Sequence, residues 1–259
     1  MTQSPWVDGI VVRRAGRSGL AGERLRLAGP RVGEPAYPAV VRQLDEQGVG
    51  CADIWAVDLS ARPPVFGCEE SPSVLIGFRP LTRADFADVV RWQQAPHVAR
   101  WWMNENPDVA AAERSYGPAL DGADPTRLWV LELNGRSVGF LQDYRIGDHP
   151  DFAILTGEPD AIGFDYAIGE PVWCGQGIGT RMLWAYLRDV LRPHYPEAVT
   201  YFAAPDHRNA ASLRVLDKLG FRRGLWFDEP QRDGQVATVV SCTLDAPAMF
   251  GPGDHPKEC

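Results

Sequence analysis

A glycine-rich turn between a short apolar segment and an amphipathic one is the feature of this sequence best suited to chemistry. Gly175, Gly177 and Gly179 alternate with other residues over 175–180, and apolar residues recur at helical spacing over 181–191. Glycine lets backbone N–H groups approach an anion closely, and a helix N-terminus adds the positive end of its dipole. The turn predicts a phosphate-binding site, although flexible glycines also occur at ordinary helix starts.

The glycine spacing distinguishes this turn from two common nucleotide-binding motifs. A Rossmann fingerprint needs a third glycine three residues after the second and an acidic residue about twenty residues later, and a P-loop needs Gly-Lys-Ser/Thr. Residues 175–180 carry neither pattern. A phosphate held here would therefore be bound by a different kind of turn.

Asp165 is the acidic residue inside the apolar segment 162–168, which leads into the turn. An alternating strand does not bury a carboxylate unless the charge is compensated. The side chain therefore either lies on the solvent face of a strand or serves in binding or proton transfer. The pattern alone leaves both interpretations open.

Composition favours a small cationic partner. The chain has 259 residues, of which 45% are hydrophobic and 23% charged, and a net charge of −8. This charge disfavours nucleic acid and anionic membranes as partners and favours a cationic substrate. No apolar run has the length of a membrane span, and the N-terminus does not resemble a signal peptide.

Cysteine and histidine usage predicts neither a disulfide framework nor a metal site. The five cysteines are odd in number and far apart, which indicates a reducing compartment and predicts a cytoplasmic location. Of the histidines, His97 and His207 have no partners at ligand spacing, and neither has Cys174. We therefore expect no metal.

The chain from residue 74 onward alternates predicted strands and helices. Predicted strands cover 74–80, 128–133, 138–144, 162–168, 199–203, 221–227 and 236–243. Predicted helices follow Thr82, which is an expected N-cap with Asp85 three residues later, and cover 109–120, 181–191 and 209–219. A loop is expected from 145 to 160. The pattern predicts an α/β fold with a mixed sheet of six to seven strands flanked by helices.

The first 73 residues form an N-terminal extension of unknown role. Segments 6–14 and 53–59 predict strands, and 38–47 predicts a helix. We expect the extension to be ordered and to pack on the main domain at 74–247 or to mediate self-association. The segment 62–73 resembles a linker, and 248–259 is expected to be a loose tail.

These motifs occur in an order that resembles the GNAT family of acyl-CoA-dependent N-acetyltransferases, over about residues 74 to 245. The chain is most similar to the aminoglycoside 6'-N-acetyltransferases. The motifs that carry the resemblance are His97-Val-Ala-Arg-Trp-Trp102, Asn134-Gly-Arg-Ser-Val-Gly-Phe-Leu-Gln142, Gly163-Phe-Asp165, the spacing from Asp165 to Gly179, Asn209, and Lys218-Leu-Gly-Phe221. The resemblance implies a GNAT-like sheet and transfer of an acetyl group from acetyl-CoA to a primary amine of an aminoglycoside, which confers antibiotic resistance.

The resemblance also implies where acetyl-CoA binds. The family uses amides of the glycine turn for the pyrophosphate and the end of the preceding strand for the pantetheine arm. The implied cofactor-binding residues are Ala167, Ile168, Gly175, Gln176, Gly177, Gly179, Thr180 and Asn209. Cys174 departs from the family, which usually has Arg or Gln there, and Asn209 is equally well explained as an N-cap.

For the substrate, the resemblance makes Asp165 the ammonium anchor and catalytic base. The other implied substrate-binding residues are Trp101, Trp102, Gln142, Asp206 and Asp233. Further acids expected around the central strand and in the final hairpin are Asp143, Asp148, Asp151, Glu158, Asp160, Glu170, Asp228 and Glu229. Most of them are individually explained by a solvated loop.

Two further functions remain open at this stage. The siderophore-pathway N-acyltransferases share Pro205-Asp-His-Arg-Asn209, which predicts hydroxylysine or a similar amine as acceptor, although they tend to carry His where Asp165 lies. A non-catalytic acyl-CoA or drug-binding protein is suggested by Leu216, where the family often has the Tyr that protonates the thiolate, and by Ala204, where it often has an acid.

Overall fold

The computed structural model describes residues 10–14, 24–27, 34–46, 54–58, 65–68, 74–102, 106–231 and 234–251. The described elements of the first part are β1 (Ile10–Arg14), β2 (Arg24–Leu27), α1 (Ala36–Glu46), β3 (Ile54–Asp58) and β4 (Val65–Cys68). The four strands form a sheet in the order β2-β1-β4-β3, in which β1 and β4 run parallel. The expectation of a linker over 62–73 is wrong at 65–68, because β4 pairs there with both β1 and β3.

The N-terminal extension contacts the rest of the chain through α1 and β3. In α1, Ala39 and Val40 are fully buried, and Val40 belongs to the main hydrophobic core. The helix lies against the last helix of the chain, and β3 lies against two helices, at 178–186 and 210–218. These described parts of the extension are therefore packed on the main domain.

The main domain alternates strands and helices along the chain. Its strands are β5 (Ile76–Pro80), β6 (Arg127–Leu133), β7 (Arg136–Arg145), β8 (Ile162–Ile168), β9 (Thr200–Ala203), β10 (Arg222–Pro230) and β11 (Val236–Asp245). Its helices are α2 (Phe86–Gln93), α3 (Pro96–Trp102), α4 (Val109–Leu120), α5 (Pro150–Thr156), α6 (Ile178–Tyr186), α7 (Arg192–His194), α8 (Ala210–Lys218) and α9 (Ala246–Phe250). A π-helical segment, Leu187–Leu191, joins α6 to α7.

The seven strands form one mixed sheet in the order β10-β11-β9-β8-β7-β6-β5. Neighbours are antiparallel except β8 and β9, which run parallel. Helices cover both faces, with α6 and α8 on one and α2 to α4 on the other, and each face has its own apolar cluster. This agrees with the predicted mixed sheet flanked by helices.

Local sequence signals explain two of the turns. Asn134 and Gly135 have φ of 51° and 74°, as the tight hairpin between β6 and β7 requires. At the start of the first helical segment, the Asp85 carboxylate accepts hydrogen bonds from the Thr82 N–H (2.9 Å) and Thr82 Oγ1 (2.8 Å). The second agrees with the N-cap that the sequence predicts at Thr82.

Two expectations about irregular segments are wrong. The predicted loop over 145–160 contains α5, because Pro150 occupies its first turn and Gly157, with φ of 67°, ends it, so residues typical of loops serve here as helix start and stop signals. The expectation of a loose tail from 248 is wrong at 248–250, because α9 continues to Phe250 and buries Met249 and Phe250. Within the described part of the chain, no helix is long and apolar enough to cross a membrane.

Candidate functional site

The site is organised by a gap between two parallel strands. β8 pairs with β9 only at Ile162–Tyr201 and Gly163–Phe202, whereas its pairing with β7 continues to Ile168. Beyond Gly163 the two strands no longer pair, and the sheet opens towards the C-terminal end of β8. The gap connects the two faces of the sheet at the level of Asp165.

The register fixes which backbone groups face this gap. Gly169 N–H donates to the Val138 carbonyl (2.8 Å), so the alternating antiparallel pattern directs the backbone of Ala167 towards β7 and that of Tyr166 and Ile168 towards the gap. His97 Nε2 lies 2.9 Å from the Ile168 carbonyl oxygen and donates to it. Of the two strand residues implied to bind the cofactor, the structure therefore brings Ile168, and not the backbone of Ala167, to the gap.

The glycine turn leads from β8 to α6. Gly175 and Gly177 have φ of 75° and 78°, and a Cβ on either would meet no atom within 4 Å, so backbone conformation rather than space requires glycine there. Gln176 is exposed, and its side chain donates to the Val172 carbonyl. The turn thus presents an open backbone surface.

The start of α6 supplies amide donors. Its first intrahelical bond runs from the Arg181 N–H to the Gly177 carbonyl (3.3 Å), so the preceding N–H groups, including those of Gly179 and Thr180, have no acceptor within the helix. A Cβ on Gly179 would lie 3.2 Å from Val215 Cγ2 in α8, which explains the third glycine as a packing requirement. These amides and the helix dipole suit an anion such as a pyrophosphate.

Asn209 lies at the start of α8, on the other side of the gap. Its Oδ1 accepts a hydrogen bond from the Ser212 N–H (3.1 Å), so it caps the helix as one interpretation of the sequence predicted. Asn209 also lines the cleft described next, so the capping and binding roles are compatible.

A cleft of about 660 Å³ extends from the gap across the α2–α4 face of the sheet. Its wall includes Trp101 and Trp102 from α3, Gln142 from β7, Asp165 from β8 and Asp206 after β9. Five of the six implied substrate-binding residues therefore meet in one cavity. The sixth, Asp233, lies outside the described residues.

The Asp165 carboxylate is held by neighbours on β7. Gln142 Nε2 donates to Asp165 Oδ2 at 2.8 Å, and the Tyr144 side chain lines the same cleft, where it favours the charged form of the carboxylate. Tyr144 lies across Gly163, where a Cβ would come within 2.6 Å of its ring. The absence of a side chain at 163 is thus what lets the ring cross to Asp165.

Burial changes the proton affinity of this pair. Removal from water raises the pKa of Asp165 above its ordinary value, although the hydrogen bond from Gln142, the Tyr144 side chain and the nearby His149 oppose the shift. Burial also raises the pKa of Tyr144, and the Asp165 charge adds to this effect. Asp165 is therefore a stronger base than an exposed aspartate, with its oxygens fixed in direction.

The cleft is lined by carboxylates and by no Lys or Arg among the described residues. Besides Asp165 and Asp206 it contains Asp124 and Glu229, and His149 is the one histidine among the described residues that line it. Asp206 is buried and already bound by Arg208, with Nη2 to Oδ2 at 2.7 Å. The cavity therefore suits a ligand with several positive charges.

The two tryptophans form an aromatic wall of the cleft. Trp102 packs edge-on against Phe140, with ring centroids 4.8 Å apart, so it is partly anchored in the core. Trp101 carries the Arg100 guanidinium over its ring at 4.8 Å. Trp102 therefore serves partly in core packing, whereas Trp101 does so less.

Several acids that the sequence placed around the central strand lie elsewhere. Asp143 is fully buried on the opposite face of the sheet, where it accepts hydrogen bonds from Trp129, Tyr186 and Tyr195 and pairs with Arg127 at 2.6 Å. The expectation that Asp143 lies at the site is therefore wrong. Side chains alternate along a strand, so Asp143, the neighbour of Gln142 on β7, points to the opposite face.

Glu170 is also taken by structural contacts. It accepts hydrogen bonds from Arg91 Nη1 (2.6 Å) and Trp92 Nε1 (3.0 Å), which fix the end of β8 to α2. The remaining loop acids do not line the cleft, and they are exposed on and around α5: Asp148, Asp151, Glu158 and Asp160.

The structure adds residues that sequence reasoning did not identify. Tyr144 and His149 line the cleft beside Asp165, and Tyr166 lies in it with its hydroxyl 2.7 Å from Ser212 Oγ. Tyr144 has the same strand phase as Gln142, a signal that was present in the sequence. No group of three or more His, Cys, Asp or Glu side chains arranged to hold a metal occurs among the described residues.

Comparison with known proteins places this architecture in a family. A family model described as an acetyltransferase (GNAT) domain matches residues 82–228. Two relatives, the aminoglycoside N(6')-acetyltransferases type 1 of Klebsiella pneumoniae and Serratia marcescens, are each 24% identical over 178 residues, which is 68% of this chain and 81% of each relative.

Solved structures share the fold. Aminoglycoside acetyltransferase AAC(6')-Ib in complex with coenzyme A and kanamycin is 24% identical with a TM-score of 0.57, covering 67% of this chain and 96% of that one. An uncharacterized protein from Bacillus halodurans is 21% identical with a TM-score of 0.58, covering 67% and 85%. Because the matched family model spans more than half of the sequence, this chain belongs to the GNAT acetyltransferase family, and it is an acyltransferase as its motifs predicted.

Proposed function

We propose that this enzyme transfers the acetyl group of acetyl-CoA to a primary amine of an aminoglycoside antibiotic and so confers resistance to it. The observation that carries the proposal is the position of the Asp165 carboxylate, which lies beside the gap between β8 and β9 in a cleft lined by acids. The relatives named as aminoglycoside N(6')-acetyltransferases support the same substrate class.

The glycine turn and the gap fit acetyl-CoA. The left-handed Gly175 and Gly177 expose the N–H groups at the start of α6, which suits the pyrophosphate, and the backbone of Ile168 faces the gap, which suits an extended pantetheine arm. Acetyl-CoA, when bound, supplies an acetyl group activated as a thioester.

Asp165 prepares the acceptor amine in this proposal. An ammonium group must lose a proton before it can act as a nucleophile, and a carboxylate whose pKa is raised by burial is a suitable acceptor, directly or through a water molecule. The hydrogen bond from Gln142 keeps the carboxylate in one orientation, and Tyr144 favours its charged form. Leu216 has no ionisable group, so solvent rather than a side chain at that position protonates the departing thiolate.

The cleft distributes the remaining contacts to an aminoglycoside. Two other carboxylates that line it, Asp124 and Glu229, attract further ammonium groups, and Asp206 is proposed as a weaker contact because Arg208 already binds it. Trp101 and Trp102 offer flat surfaces to sugar rings. Asp233 is proposed as an additional contact on the basis of the family motif. We place the reaction in the cytoplasm, an assignment supported by the free thiols of Cys174 and Cys242.

A panel assay tests this proposal. Release of free thiol from acetyl-CoA is measured with kanamycin, a linear polyamine and hydroxylysine as acceptors. We expect the highest kcat/KM with kanamycin. Preference for hydroxylysine would instead support the siderophore-type activity. If none of the three amines causes release of thiol, the proposed function is contradicted.

A further inference from the structure

β10 forms one edge of the main sheet and is unusually apolar at its centre. Among the described strands only β11 pairs with it. Leu225 and Trp226, two large apolar side chains at the middle of the strand, are 80% and 63% exposed. An exposed edge with unpaired backbone groups and apolar side chains is a template for pairing with another strand.

A bulge gives the charged ends of β10 a defined arrangement. Arg223 lies opposite Cys242 of β11, Trp226 opposite Val240 and Asp228 opposite Thr238, with one extra residue between Arg223 and Trp226. Since alternate residues of β11 point to one side, Arg223, Trp226 and Asp228 share a face of the sheet.

The other charged pair lies on the opposite face. Arg222 is opposite Thr243 and Glu229 opposite Ala237, which have the other phase along β11. Each face of the edge strand therefore carries a positive charge at one end and a negative charge at the other.

The backbone at the centre of β10 is directed outward. Val240 N–H donates to the Pro205 carbonyl (2.9 Å), and the Thr238 carbonyl accepts from the His207 N–H (3.1 Å), so both residues direct their polar groups away from β10. Trp226–Val240 and Asp228–Thr238 are therefore non-hydrogen-bonded pairs of the two strands. As a result, the backbone N–H and C=O groups of Trp226 and Asp228 point to the free edge.

We propose that β10 pairs antiparallel with β10 of a second copy of this chain, around a two-fold axis at Trp226. Counted along β11, Arg223 and Asp228 are equally distant from Trp226, and so are Arg222 and Glu229. The two-fold axis therefore places Trp226 against Trp226, and each arginine opposite a carboxylate on the same face. Such a self-complementary patch is what an isologous dimer requires.

Contacts within one chain leave room for this pairing. Arg223 Nε donates to Asp217 Oδ1 at 2.9 Å, and Asp228 Oδ1 accepts from Thr238 Oγ1 at 2.8 Å. A guanidinium has five donors and a carboxylate about four acceptor sites, so both groups can make a further bond. The proposed surface differs from the N-terminal extension, which was the earlier candidate for self-association.

Sedimentation analysis of charge-reversed variants tests the pairing. We expect the wild-type chain to be dimeric at micromolar concentration, and Arg223→Asp and Asp228→Arg each to be monomeric because like charges then oppose one another. An equimolar mixture of the two variants is expected to form a heterodimer, in which every opposed pair again has opposite signs. Recovery of the dimer on mixing also shows that the single variants are folded.

The control variant separates this effect from contacts within one chain. Asp217→Asn removes the intrachain partner of Arg223 and is expected to remain dimeric. A monomeric wild-type chain, single variants that dimerise like the wild type, or a mixture that stays monomeric would overturn the proposal. Loss of the dimer in Asp217→Asn would also overturn it, since Arg223 would then act only within its own chain.

Discussion

The behaviour of Asp165 follows from two opposing influences on one carboxylate. Burial favours its protonated form, whereas the hydrogen bond from Gln142 and the Tyr144 side chain favour the charged form. The balance leaves the pKa raised, which strengthens the base while its direction stays fixed. Gln142 and Tyr144 are therefore expected to affect the reaction indirectly, through the protonation and the position of the Asp165 carboxylate.

Replacement of Asp165 by Asn tests the base directly. The change is nearly isosteric, so acetyl-CoA affinity should be retained while kcat falls by roughly 10² or more, the usual size of a general-base contribution. Asp148→Asn, an exposed acid outside the cleft, is the matched control and should change kcat little. Steady-state kinetics with one good acceptor measure both. Turnover of Asp165→Asn within a few-fold of wild type would show that the carboxylate is only structural.

Tyr144→Phe is expected to move the acidic limb of the pH–kcat/KM profile. The lost hydroxyl favoured the carboxylate form, so the pKa of Asp165 rises further, and activity disappears at a higher pH as the medium is acidified. An effect of the size of one net hydrogen bond, about 1 kcal/mol, corresponds to a shift of roughly 0.7 pH unit. Tyr195→Phe, which affects Asp143 on the opposite face, should leave the limb in place. An unshifted limb in Tyr144→Phe would contradict the positioning role.

The sequence identified Asp165 and Gln142 but not Tyr144, for a physical reason. The contact of Tyr144 with the carboxylate depends on Gly163 in the neighbouring strand, so it exists only once the register of β7 and β8 is known. The same alternation moved Asp143 into the core, where Arg127 and two tyrosines satisfy it. Contacts between side chains of neighbouring strands require the register, which residue types alone do not supply.

At the scale of elements, the strand–turn–helix unit was more predictable than its neighbours. Its glycines and its apolar periodicity are local signals, and such signals are retained in the fold. The capping pair Thr82–Asp85 before α2 is another local signal of this kind. The helix α5 was missed because Pro150 and Gly157 resemble loop residues until their positions at its two ends are known.

Substitution of Gly177 tests the anion-binding role of the turn. Gly177→Asp adds a negative charge beside the α6 amides and should weaken acetyl-CoA binding more than tenfold. Gly177→Asn has nearly the same size and tolerates a positive φ, so it should weaken binding much less. Titration calorimetry gives both affinities. Equal affinities for acetyl-CoA in the wild-type chain and in folded Gly177→Asp would exclude the turn as the pyrophosphate site.

At the scale of the whole molecule, the described part of the extension shares the core of the enzyme. Val40 is fully buried and belongs to the main hydrophobic cluster, whereas the adjacent Val41 is 37% exposed. We therefore expect Val40→Asp to lower the Tm of the acetyltransferase domain by several degrees, because a charge cannot be buried there without a partner. Val41→Asp is the matched control for thermal unfolding. Equal Tm values for the two variants would show that α1 is not part of the folding unit.

The domain boundaries at 73 and 247 remain predictions.

The net charge of the chain was more informative about the ligand than about the domain organisation. A net charge of −8 predicted a cationic partner, and the described cleft contains four carboxylates, Asp124, Asp165, Asp206 and Glu229, with no Lys or Arg. Composition cannot locate this group of carboxylates, because their position depends on which acids the sheet directs into one cavity.

The product of the reaction tests the proposed acetyl transfer most directly. Kanamycin is incubated with the full chain and acetyl-CoA that is isotopically labelled in the acetyl group, and the product is analysed by NMR. We expect a single labelled acetyl group in amide linkage, on the 6' amine, with one free thiol released for each amide formed. Label that is recovered only as free acetate, or on a hydroxyl oxygen, would contradict the account.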